Sequence, residues 1–175
     1  MKVAINPRIF LLLLSLVLTT LVFILVPHVS QDLKYHNFVD QIRFAGIPNF
    51  WNVVTNIPFL VIGIIGFFKI QKRELTGILP ELFRAYLAFF MGLVLIGLGS
   101  GYYHLNPSNS TLVGDRMAIT ITFMSFLVLI IGESISTKTA SRLLFPLIFL
   151  GLASVIYWNI TENLGMGDLR FYALV

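Results

Sequence analysis

The chain reads as an all-α, polytopic transmembrane helix bundle of five spans and a partial sixth, and three observations predict this. Over half of the residues are hydrophobic (57%) and only 11% are charged, at a mean hydropathy of +0.89; a soluble domain carries about twice that charge. Five apolar stretches approach the roughly 20 residues that a helix needs to cross about 30 Å of hydrocarbon. Glycines and prolines (Pro58, Gly63, Gly66, Gly92, Gly97, Gly99, Pro146, Gly151) lie inside these stretches, where a bundle uses them for close packing and local kinks.

The elements follow in order. The first span is expected near 9–26, behind Lys2 and Arg8. Its apolar run of about 18 residues exceeds the roughly 7–15 of a signal-peptide core, and no small-x-small cleavage site follows, so an uncleaved helix is expected. A polar linker, 27–49, contains His28 and His36. Further spans are expected near 50–70, 83–104, 112–132 and 142–160, and a sixth apolar run begins at Phe171 and is cut off at Val175. Residues 1–175 form a single membrane-embedded domain, with no soluble domain, low-complexity stretch or internal repeat.

Charge orients the bundle. The net charge of +4 does not mark a nucleic-acid binder, because the basic residues sit at the ends of apolar segments, where they set membrane orientation. With five crossings, one side holds Lys2, Arg8, Lys69, Lys72, Arg73, Arg84, Lys138 and Arg142, and the other Lys34, Arg43, Arg116 and Arg170. Eight against four predicts a cytoplasmic N-terminus. The absence of cysteine excludes disulfides and thiolate metal sites.

That topology gathers polar residues on the non-cytoplasmic side. The second span enters there with Asn49, Asn52, Thr55 and Asn56, the asparagines at i, i+3 and i+7 along one face. The third ends there in GLGSGYYHLNPSNSTLVGDRM (97–117), with Ser100 and His104 four residues apart and so on one helical face. A short polar turn returns Asp115 beside them, and the fifth span ends there with Tyr157, Asn159, Thr161 and Glu162. Each has a duller explanation singly. Asn52 and Asn56 serve as interhelical glue, Ser100 bonds back to its own helix, and Asp115 favours a helix start and pairs with Arg116. His104 bonds a backbone carbonyl at the interface, and His28 and His36 are solvated rather than ligands. Together, at one depth and on adjacent helices, groups this costly in lipid mark a functional site.

The residue types suggest hydrolysis of an amide or ester presented from the bilayer. Imidazole is a common zinc ligand, and zinc brings the pKa of its bound water to about 7. A nearby carboxylate serves as general base, and a serine hydroxyl donates to a tetrahedral oxyanion. A Ser-His-Asp triad is the rival, ranked lower because Ser100 and His104 share one helix and no nucleophile elbow is present.

Two stretches carry a resemblance. GIPNFWNVVTNIPFLVIGIIGF (46–67) is similar to the F-x-N-x-x-S-N helix of the alkaline ceramidase family, with Thr55 in the serine position, and residues 97–125 are similar to its G-S-x-x-x-H…D block. The region 46–175 resembles the bacterial and plant phytoceramidase-like members. The resemblance implies a seven-helix, zinc-dependent membrane amidase that cleaves the N-acyl bond of ceramide-like lipids. It further implies that His104 matches a zinc ligand, and that Ser100 and Asp115 match the serine and aspartate supporting the zinc-bound water and the reacting carbonyl. Family members can also bind calcium through acidic residues; Asp40 lies in the matching region, but Asn49 stands where an acid is expected, and the site is not carried over.

One departure matters. The family completes its zinc site with an H-x-x-x-H pair on the last helix, and this chain has none. The expectation is therefore a truncated or fragmentary sequence of a longer enzyme, with little activity alone. The alternative is a non-catalytic relative that acts as a lipid-binding or receptor-like membrane protein.

Overall fold

The computed structural model describes residues 7–175, with side chains from Leu13 onward. Lys2 lies outside the described residues, as does the side chain of Arg8. The architecture is an all-helical bundle, and the described residues form no strand, only an isolated bridge between Phe44 and Ile47. Seven α-helices follow in order: α1 (Pro7–Leu25), α2 (Phe50–Val54), α3 (Ile57–Gln71), α4 (Phe83–Leu105), α5 (Asn109–Ser134), α6 (Thr137–Asn163) and α7 (Arg170–Leu174).

Among the described residues, four helical stretches are long and apolar enough to cross a membrane: Phe50–Gln71, Pro80–Leu105, Asn109–Ser134 and Thr137–Asn163. They suggest a membrane-embedded protein. The part of α1 whose side chains are described, Leu13–Leu25, is a shorter apolar stretch, and α7 stands where the partial sixth run was expected. Phe123, Phe145 and Phe149, all more than 60% exposed, face outward as lipid-facing residues do.

The second expected span, 50–70, differs from its single-helix reading. It breaks at Thr55–Asn56 into α2 and α3, because Pro58 has no N–H to give the carbonyl four residues back. Asn56 N–H bonds the Val53 carbonyl at 3.1 Å, a tightened turn at the break.

Successive helices pack as antiparallel neighbours, α3 on α4, α4 on α5 and α5 on α6. Small residues permit the close approach: a Cβ at Gly63 would lie 2.7 Å from the Val94 nitrogen. Two apolar clusters fill the ends of the bundle. Leu82, Ala85, Val128, Leu129, Ala140 and Leu144 form one; Tyr103, Leu112, Val155 and Trp158 form the other. The buried hydroxyls of Thr120, Thr122 and Ser125 bond carbonyls of their own helix α5, so they cost little in an apolar interior. The polar chemistry of the molecule lies instead around the second cluster.

Candidate active site

The end of α4 and the start of α5 meet through glycines. A Cβ at Gly99 would lie 3.1 Å from the Gly114 carbonyl oxygen, so only bare backbone lets the helices approach here. Ser100 and Asp115, the next residue on each helix, are thereby brought side by side, the serine hydroxyl against the carboxyl. His104, one turn beyond Ser100, interacts electrostatically with the same carboxyl. Asp115 and Ser100 are buried and His104 is half-buried. The three residues singled out from sequence therefore stand together.

The duller explanations of Asp115 do not describe this geometry. Helix α5 starts at Asn109, capped by the Ser108 hydroxyl accepting from Thr111 N–H at 3.2 Å, so Asp115 sits well inside the helix. With Arg116 it interacts electrostatically but forms no direct ion pair, because adjacent helical positions point to different faces. Among the described residues the ion pair found joins Arg170 and Asp168.

The surroundings hold this cluster from several sides. Asn49, in a left-handed conformation at the start of α2 (φ 47°), donates from Nδ2 to the His104 carbonyl at 2.8 Å. Phe38 packs on the His104 ring at 4.6 Å between centroids, and Tyr103 at 5.2 Å. His36, expected to be solvated, is instead half-buried between Tyr103 and Asn109. With Asn109 presenting its oxygen, Nε2 donates there at 2.9 Å and Nδ1 accepts from the Tyr103 hydroxyl at 2.9 Å. Asp40 caps α2, accepting from Trp51 N–H and Asn52 N–H on Oδ2 and from Ile42 N–H on Oδ1. Partial desolvation pushes its pKa up, but the three backbone donors outweigh that and hold the carboxyl below its ordinary value.

The expected single polar pocket is in fact two networks. Tyr157, Thr161 and Glu162 do converge, but on the linker and the segment before α7 rather than on Ser100. Tyr157 donates to Asp168 at 2.8 Å, and Thr161 accepts from Asp168 N–H at 3.1 Å. Glu162 accepts from Gln31 N–H at 3.1 Å and from the Trp158 indole at 3.2 Å. Asn159 bonds only Asn163, and Thr55 only its own helix. Arg170 grips Asp168 through two nitrogens (2.8 and 2.7 Å) and donates to the Phe23 and Val26 carbonyls, tying the end of α1 to α7. That guanidinium holds the Asp168 carboxyl well below the usual range, with burial acting against it.

Arg116 belongs to this second network, a residue that sequence reasoning used for orientation and as a partner of Asp115, not as a site residue. It donates to Gln31 Oε1 at 2.6 Å and lies over the Trp158 and Tyr172 rings, 4.0 and 4.7 Å from their centroids. The signal that points to it is a full charge inside an apolar helix.

Among the described residues, three buried polar atoms have no hydrogen-bond partner: His104 Nδ1, Asp115 Oδ1 and Arg116 Nη1. Native interiors leave few such atoms, and each calls for an explanation. A lone-pair nitrogen beside a carboxylate oxygen is a donor set suited to a metal ion or a polarised water. The fit to zinc is nonetheless incomplete. A catalytic zinc takes three protein ligands, and no group of three His, Cys, Asp or Glu comes together among the described residues.

Comparison with known proteins gives one family. A sequence model described as Ceramidase matches residues 42–175. No curated protein and no solved structure matches the chain.

Proposed function

The chain belongs to the ceramidase family, and from that premise we propose that it is an integral-membrane amidase. Its reaction is hydrolysis of the N-acyl bond of a ceramide-like lipid to a fatty acid and a sphingoid base. The observation that supports this most is the Ser100–His104–Asp115 cluster, with two of its polar atoms unpartnered. Amide hydrolysis needs a water stripped of a proton, a donor for the oxyanion, and an acid for the leaving nitrogen. Asp115 Oδ1 takes the proton from water and returns it to the departing amine. Ser100 donates to the oxygen of the tetrahedral intermediate.

Zinc enters this reading through His104 as one ligand, in line with the family resemblance; the two further histidines are absent from this chain, and no step above runs through a metal. The reading also carries the topology: a cytoplasmic N-terminus, with the cluster near the opposite face. A second reading is a non-catalytic relative that binds lipid, which needs no three-ligand group; none is found among the described residues.

Release of labelled fatty acid from ceramide by the purified, reconstituted protein separates the two. Turnover that falls with Asp115→Asn supports the amidase. Saturable ceramide binding without release, in preparations with and without added zinc, supports the lipid binder.

A further inference from the structure

We infer that Arg116 is an anion-binding residue that holds the carboxylate of a fatty acid, with the acyl chain running along the seam between α5, α6 and α7. The inference rests on the amidase reading only for the identity of the anion, since hydrolysis of an N-acyl bond ends in a fatty carboxylate. Arg116 is more than nine-tenths buried, and its Nη1 has no partner. A buried guanidinium without an anion is costly. Asp115, its chain neighbour, interacts with it electrostatically but makes no hydrogen bond or ion pair to it, since successive helical residues face different ways. Asp168 is already held by Arg170 and Tyr157, and Glu162 accepts from Gln31 and Trp158.

The guanidinium is also held ready. The Trp158 and Tyr172 rings flank it, and Gln31 fixes Nη2. Gln31 is itself anchored through its backbone N–H to Glu162. A planar donor fixed in this way loses little freedom when it binds a carboxylate. One turn further along α5 lies a cavity of about 240 Å³, lined by Ile119, Thr120, Phe123, Met124, Ser154 and Tyr172, with Val175 at its edge. Tyr172 is shared: its ring stacks on Arg116 and walls the cavity. Arg116 does not itself line the cavity, and Tyr172 joins the two; a charged group and an apolar cavity that share one wall suit a single-chain amphiphile whose head is an anion.

The chain has two tryptophans, so Trp51→Phe leaves Trp158, stacked on Arg116, as the sole indole reporter. The full chain carrying that change, reconstituted in nanodiscs, is titrated with brominated palmitate, brominated hexadecanol and brominated hexadecyl phosphate. Saturable quenching by the palmitate alone is expected. Arg116→Gln should weaken it by about tenfold or more, as loss of a charge-assisted pair does, with Arg116→Lys falling in between, since lysine keeps the charge but not the planar, ring-stacked donor. Ile119→Phe, which narrows the cavity and leaves the guanidinium, should shift preference to shorter acids and serves even if Arg116→Gln misfolds. Equal quenching by acid and alcohol overturns the inference, as does tighter binding of the phosphate or an unchanged chain-length preference in Ile119→Phe. A protein that binds palmitate through Arg116 and releases no fatty acid from ceramide loses the proposed function and keeps this site.

Discussion

Gly99 and Gly114 touch across the α4–α5 interface, where a Cβ on Gly99 would sit 3.1 Å from the Gly114 carbonyl oxygen. The contact sets the spacing of the neighbouring pair, Ser100 and Asp115. Gly99→Ala should push the helices apart by a few tenths of an ångström and reduce turnover by about 10- to 100-fold, since small misplacements at a reacting centre are costly. Alanine favours the helix intrinsically, so the thermal midpoint should change less than the rate. Equal loss of folded protein and of specific activity would show that the contact serves packing alone.

The Asp168–Arg170 pair ties the C-terminal segment to the end of α1. Asp168 is held below its usual range, so its folded-state pKa lies below its unfolded one. Its contribution to stability is full above about pH 4, the unfolded value, and is lost as pH falls through the lower folded value. Protease protection of the 27–49 linker should therefore stay flat from pH 8 to about pH 4.5 and decline below that. Asp168→Asn should lower protection at neutral pH, leaving Arg170 without its counter-charge, and should remove the acid limb.

The long spans were legible in the sequence because hydropathy and helix length are local properties. The Ser100–His104 spacing and the short return to Asp115 were legible for the same reason: one helical face and one tight turn fix them. The linker was not legible. Gln31, His36, Phe38 and Asp40 act by bonding or packing against residues from 11 to more than 80 positions away, and no periodicity records such contacts. The break at Asn56 was written in Pro58, yet an unbroken apolar run hid it.

His36 shows what the linker contributes. It joins the Tyr103 hydroxyl to Asn109, on α4 and α5, through bonds of 2.9 Å each. His36→Ala removes both, at a cost of about 1–3 kcal/mol for two net hydrogen bonds. Amide exchange of residues 33–38 should speed up by about tenfold or more, while exchange in the middle of α5 stays unchanged. Unaltered exchange in the linker would rule out this clamp.

The orientation rests on the distribution of basic residues. Reporter fusions at Gln71 and Ser108, which end α3 and cap α5, should report opposite sides of the membrane, with Gln71 cytoplasmic. Both on one side would mean that α4 does not cross. Reversal of the two would leave the bundle intact and move the site to the cytoplasmic face.

The catalytic roles separate under substitution because each residue touches a different part of the chemistry. Asp115→Asn keeps the shape of the cluster but removes the base, so turnover should fall by about 10²–10⁴-fold with ceramide binding retained. Ser100→Ala removes one donor to the oxyanion and should cost about 10²–10³-fold in rate, with substrate affinity unchanged. His104→Ala should abolish zinc uptake in protein reconstituted with the metal, since the proposed ligand on this helix is His104, whose Nδ1 is unpartnered. The measurement is labelled fatty-acid release, beside metal content, for each variant with and without chelator. Chelator-insensitive release in the parent, or full release in His104→Ala, would sink the zinc reading. Chelator-insensitive release that is lost in both Ser100→Ala and His104→Ala would make serine the nucleophile and His104 its base.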